Sequence, residues 1–104
     1  MKRMEKIARR ILEILIEENV DTDVFIYFDN KRLSTNEGLE LDINVGDYIE
    51  YNNPKAITMS FEGALYQDIN YGSQRVFKRL ESLFNENGYY SEFGYAWSLS
   101  IYKQ

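Results

Sequence analysis

The side chains of this chain that could act chemically are carboxylates, phenols and a few arginines. Its 104 residues include 17 Asp and Glu and nine Tyr, but no His and no Cys. Without imidazole there is no Ser-His triad and none of the usual catalytic zinc ligands. Without thiols there is no thiolate nucleophile, disulfide framework or thiolate metal site. An enzyme made from this inventory would need a carboxylate pair in which burial raises one pKa. The nearest approach to such a pair is the acidic patch of Glu40, Asp42, Asp47 and Glu50 around Tyr48. Its alternation with apolar residues places the carboxylates on the outer, wetted side of a hairpin, and its spacing is not that of a calcium-binding EF-hand loop. No catalytic residue, metal or cofactor is therefore expected. The patch reads as an acidic face suited to a basic partner.

Tyrosines add to that surface. Tyr66, Tyr71, Tyr89, Tyr90 and Tyr95 fall near the two ends of a helix, in loop-like sequence. A tyrosine offers a large contact area with few rotors to freeze, which suits an interface. The expected partner-binding set is Glu40, Asp42, Asp47, Glu50, Tyr48, Tyr66, Tyr71, Tyr89 and Tyr90. A different chemistry is possible at Gly72-Ser73. There Ser73, Arg75 and Arg79 open a helix, and positive charge at a helix start opposes the dipole unless an anion lies close. The anion would be either a carboxylate of the chain itself or a bound ligand. The spacing and lysine of a phosphate-binding P-loop are absent. A third feature is a shelf of small residues. Ala56, Thr58 and Ser60 alternate on one strand, as do Ala96, Ser98 and Ser100 on another, and together they would make a smooth sheet face edged by tyrosines.

These side chains must be held by regular elements. The best signalled is a helix over residues 73–87, with Val76, Phe77, Leu80, Leu83 and Phe84 in one apolar stripe. Ser73 stands at its N-cap, and Gly88 provides a left-handed stop. A strand with alternating Tyr95, Trp97, Leu99 and Ile101 follows. Met4–Glu18 forms a first helix whose wide apolar arc suits either a groove with partners on both sides or, through Leu12 and Ile16, a homodimer or partner contact. Its charges, basic at the start and acidic at the end, run against its macrodipole.

Val24–Asp29 reads as a strand apolar on both faces, hence central. Asp29-Asn30-Lys31 turns the chain into a short partner strand at Arg32–Ser34. Leu39–Val45 and 48–51 read as a hairpin in which a three-residue loop pairs Ile43 with Ile49, Leu41 with Tyr51 and Asp42 with Glu50. Ala56–Phe61 is a further strand. Residues 62–71 allow one or two helical turns or an ordered loop.

The expected fold is α+β, one domain over residues 1–104. It has an antiparallel sheet of four to six strands carrying the N-terminal helix and the helix near 73–87. Residues 1–10 carry five basic and one acidic side chain, and the remainder seven basic and sixteen acidic. An acidic body repels nucleic-acid phosphates, so direct nucleic-acid binding is not expected. Nor is membrane binding, since no stretch approaches the length of a span and an acidic body disfavours a surface-lying helix. Glu13, Glu17 and Glu18 likewise break the apolar run that a secretory signal would need. The function expected from charge and inventory is a cytoplasmic, non-enzymatic module of inhibitor or immunity type that docks on a basic, nucleic-acid-handling protein. The alternative is a small-ligand or anion-binding domain using Ser73, Arg75 and Arg79.

Overall fold

The computed structural model describes residues 2–49 and 55–104. Its core is a six-stranded antiparallel sheet in the order β3-β2-β1-β4-β6-β5, with β1 at Val24–Phe28, β2 at Lys31–Ser34, β3 at Gly38–Glu40, β4 at Ile57–Phe61, β5 at Tyr89–Phe93 and β6 at Ser98–Lys103. Helices α1 (Arg3–Glu17), α2 (Gly63–Asn70) and α3 (Arg75–Glu86) complete an α+β fold, with α1 and α3 packed on the sheet. The expected α+β class and antiparallel sheet are both present. Residues 62–71, which the sequence left open, contribute a third helix.

Alternation decides which face is buried under the helices. Val24, Ile26 and Phe28 of β1, Ile57, Met59 and Phe61 of β4, and Leu99 and Ile101 of β6 join Ile7, Ile11, Leu15, Leu80 and Phe84 in one core. The β1–β2 connection is a two-residue turn with both Asp29 and Asn30 at positive φ, the backbone twist that a tight hairpin needs. α1 ends on Asn19 at φ 59°, and the N–H groups of Asn19 and Val20 donate to the carbonyls of Ile16 and Leu15 at 3.0 and 2.8 Å. Those bonds satisfy carbonyls that the helix would otherwise leave open. Gly88, at φ 77°, ends α3 as its position predicts.

The two large helices are antiparallel. Arg3 at the start of α1 donates to the carbonyl of Asn87 at the end of α3, while Glu17 and Glu18 at the end of α1 meet Arg75 and Arg79 at the start of α3. That pairing accounts for charges that look misplaced on each helix alone. The guanidinium of Arg3 sits at the negative end of the α3 dipole, and each unfavourable cluster finds its counter-charge on the other helix.

Three expectations need correction. First, the hairpin over Leu39–Val45 and 48–51 does not form in the described residues. Strand pairing stops at Glu40, Asp42 takes φ 56°, and Val45–Asp47 is a single 3-10 turn. The N–H of Ile43 donates to the carbonyl of Asn30 and not to a partner strand at Ile49. The apolar alternation of Ile43 and Val45 is real, but it serves to cover Tyr27 on the second sheet face. The expected pairings to Glu50 and Tyr51 lie outside the described residues.

Second, Tyr89 and Tyr90 are not loop residues but the start of β5, paired to Lys103 and Tyr102. The expected strand at Tyr95 and Trp97 is instead the connection from β5 to β6, closed where the N–H of Gly94 donates to the carbonyl of Ser98 at 3.1 Å. Third, the N-cap of α3 is Gln74 at φ 62°, not Ser73. Ser73 Oγ accepts from the N–H of Arg75 at 3.3 Å, and Asp68 of α2 reaches across to accept from the N–H of Phe77, also at 3.3 Å. The tight α2–α3 link leaves little room for a side chain at Gly72, where a Cβ would lie 3.1 Å from the backbone of Asp68.

These contacts rank two substitutions. Phe61 is fully buried at the sheet centre, so Phe61→Ala should cost about 3–5 kcal/mol in urea unfolding. Asp68→Ala removes only a cap and should cost about 1 kcal/mol. The reverse order would mean that the central strand is not the core of the fold.

Candidate functional site

The helices cover one face of the sheet. The other face carries Phe25 and Tyr27 of β1, Arg32 of β2, Glu40 of β3, Thr58 and Ser60 of β4, Ser98 and Ser100 of β6, and Tyr90, Glu92 and Tyr102 at the far edge. The small-residue shelf is real, because β4 and β6 are neighbours and pair Thr58 with Ser100 and Ser60 with Ser98. The Thr58 and Ser100 hydroxyls are 2.9 Å apart, and Thr58 and Ser98 are buried. Ala96 belongs to the β5–β6 connection. Tyr90 and Tyr102, with ring centroids 5.5 Å apart, form one margin of this face.

The opposite margin is built on Arg32. Its Nε and Nη2 donate to the two oxygens of Glu40 at 2.6 and 3.0 Å, a forked pair between neighbouring strands. Its guanidinium lies 4.9 Å from the Phe25 ring centre and 4.5 Å from that of Tyr48. Stacking on two rings while bonded to a carboxylate fixes an otherwise flexible cation. Residues 41–49 fold over this clamp, with Val45 and Ile49 buried against Tyr27 in a second small core. Tyr48 tilts over Tyr27 at 5.9 Å and remains half exposed. Asp42 and Asp47 are exposed on the same segment, and Asn44 donates to Asp47 at 3.3 Å.

The expected acidic patch is therefore divided. Asp42, Asp47 and Tyr48 share one projecting lip; Glu40 is held inward by Arg32; Glu50 lies outside the described residues. Of the other tyrosines, Tyr66 and Tyr71 pair at 6.0 Å on α2 and at its end, and Tyr71 is among the most exposed side chains. Their side-chain hydrogen bond raises the pKa of the Tyr66 phenol above its ordinary value. Tyr90 is exposed on β5, whereas Tyr89 is buried beneath Arg3. These tyrosines do not meet the lip in one patch.

At the start of α3 the chain supplies its own anions. Arg79 donates to Glu17 at 2.5 Å and Glu18 at 3.0 Å, Arg75 pairs with Glu18 at 3.4 Å, and Asp68 occupies the first turn beside Ser73. The hydrogen bond to Glu17 raises the Arg79 pKa and lowers that of Glu17.

Sequence reasoning missed Phe25, Arg32 and Trp97 as site residues. In the sequence, Phe25 reads only as part of the two-faced strand Val24–Asp29. The signal for the clamp was the like spacing of Arg32 and Glu40 about a short polar loop, which the longer hairpin reading obscured. Among the described residues there is no group of acidic side chains placed to hold a metal ion, and no helix is long and apolar enough to cross a membrane. Comparison with known proteins finds no matching family, curated sequence or solved structure.

The Arg32–Glu40 clamp has a pH signature. The hydrogen bond from Arg32 holds the Glu40 carboxyl below its ordinary pKa. A depressed folded-state pKa gives stability that is complete above the unfolded value, about 4.3, and disappears as pH falls through the folded value. The stability difference between the native chain and Glu40→Gln should therefore be constant near neutrality and close below roughly pH 4. A difference that persists unchanged to strong acid, measured by urea unfolding, would rule out the ion pair as its source.

Proposed function

We propose that this chain is a cytoplasmic, non-enzymatic protein-binding module of inhibitor or immunity type, docking on a basic, nucleic-acid-handling protein. The observation that carries the reading is the lip of residues 41–48. It sets exposed Asp42 and Asp47 beside a half-exposed Tyr48, on a base made rigid by Tyr27 and the Arg32–Glu40 clamp. A preformed aromatic anchor flanked by charge lowers the ordering cost of association and steers an oppositely charged partner. The net charge of −5 acts in the same sense at longer range. Glu50 completes the acidic set in this proposal, and Tyr66, Tyr71 and Tyr90 provide secondary contacts.

The anion-binding alternative has less support, because Arg75 already pairs with Glu18 and Arg79 with Glu17 and Glu18. A homodimer through α1 draws support from one observation: Ile16 is 50% exposed beside the half-buried Leu12.

A pull-down from nuclease-treated bacterial lysate, followed by binding kinetics on the captured protein, tests the reading. Asp42→Lys with Asp47→Lys should slow association about tenfold or more at low salt, with the gap narrowing as salt rises. An on-rate equal to that of the native chain would sink the lip as the docking surface.

A further inference from the structure

Beside the lip, the sheet face sinks into a trough of about 380 Å³ whose lining includes Phe25, Tyr48, Trp97, Asp23, Glu62 and Arg32. We infer that this trough seats one arginine side chain of a partner protein. The assignment rests on the protein-binding reading above and gives the basic partner a specific point of attachment.

Charge and ring chemistry select the occupant. Asp23 and Glu62 are both exposed, and the N–H of Glu62 donates to the Asp23 carbonyl at 3.1 Å, which keeps the two residues side by side. Among the described residues neither carboxylate has a basic side chain within ion-pair distance. The one cation in the lining among the described residues, Arg32, is already paired with Glu40 through its forked hydrogen bonds. Among the described residues the trough therefore presents two carboxylates without a basic side-chain partner, together with the electron-rich faces of aromatic rings. An anion placed there would meet both carboxylates; a cation would satisfy them.

The chain also shows what kind of cation these rings accept. Phe25 and Tyr48 lie 4.9 and 4.5 Å from the guanidinium of Arg32. A guanidinium is planar and less strongly hydrated than an ammonium, so it gives up water more readily to lie on a ring while its N–H groups reach a carboxylate. Trp97 is pre-positioned for that contact. Its ring stacks on Tyr95 at 5.1 Å with 11° between planes, and the N–H of Tyr95 donates to Ser98 Oγ at 2.9 Å, fixing the loop. The volume lies near the lower end of the roughly 300–1,000 Å³ of small-molecule pockets, which suits a single side chain.

Trp97 is the only tryptophan, so it reports on its own site. The probe is N-acetyl-arginine methylamide, titrated at low salt and followed by Trp97 emission and by the NMR resonance of its indole N–H. The citrulline analogue, of the same shape without the charge, and the lysine analogue serve as comparisons. Saturable binding on the order of 1–10 mM is expected for arginine, weaker binding for lysine and none for citrulline. Asp23→Asn with Glu62→Gln should weaken arginine binding at least about tenfold. The Glu62 side chain makes no helix cap, so Glu62→Gln removes none. No saturable response to arginine, or an equal response to citrulline, would overturn the assignment. If the probe fails while Asp42→Lys with Asp47→Lys still slows partner association, the trough is excluded and the docking lip stands. If the probe binds while that double variant associates normally, the trough stands and the lip fails.

Discussion

A central strand has two faces, and this chain has helices for only one of them. β4 shows the constraint most clearly, because Phe61 and Met59 lie under α1 and α3 while Thr58 and Ser60 turn the other way. A bare second face would leave Tyr27 and Phe25 in water. The chain meets this with small polar residues where β4 and β6 adjoin and with the segment 41–49 where β1 needs cover. Arg32, on the far side of β1 from the small residues, anchors the covered margin, held by Glu40 of β3 and by the Phe25 and Tyr48 rings. The proposed docking surface is the part of the second face that this cover leaves accessible.

The helix layer obeys a different constraint, the cost of placing charge against a dipole. Taken singly, α1 and α3 are both poorly arranged, with Glu17 and Glu18 at one C-terminus and Arg75 and Arg79 near one N-terminus. Antiparallel packing turns two unfavourable ends into one ion-paired corner. The corner is half exposed, so its worth in stability is modest. It does specify orientation, since parallel packing of the same two helices would set like charges together.

Much of the fold was legible because periodicity reports burial directly. The stripe of Val76, Leu80 and Phe84, the two apolar faces of Val24–Phe28 and the stop at Gly88 all carried local signals strong enough to survive tertiary packing. What was not legible lay where one pattern fits two structures. Leu41, Ile43 and Val45 alternate like a strand, yet a positive φ at Asp42 diverts the chain over Tyr27, and only the need to cover that ring explains the diversion. Tyr89 and Tyr90 looked like a turn because aromatic residues beside a glycine carry no unambiguous period. The candidate site suffered most, since Trp97 lies far along the chain from Phe25 and Arg32, which share the β1–β2 hairpin. Their meeting is a product of strand order, which no local window contains.

That strand order also bears on how the chain assembles. The hairpins β1–β2 and β5–β6 are local and stand toward the two ends of the sheet, while the pairings that join them, β1 with β4 and β4 with β6, link distant residues such as Tyr27 with Thr58 and Thr58 with Ser100. Each end can form early at little entropic cost, but β4 gains its partners only after long loops have closed. The middle of the sheet is thus expected to be the last part to become ordered. Refolding kinetics of Phe61 variants would show it as a loss of stability carried mainly by faster unfolding, with the folding rate little changed.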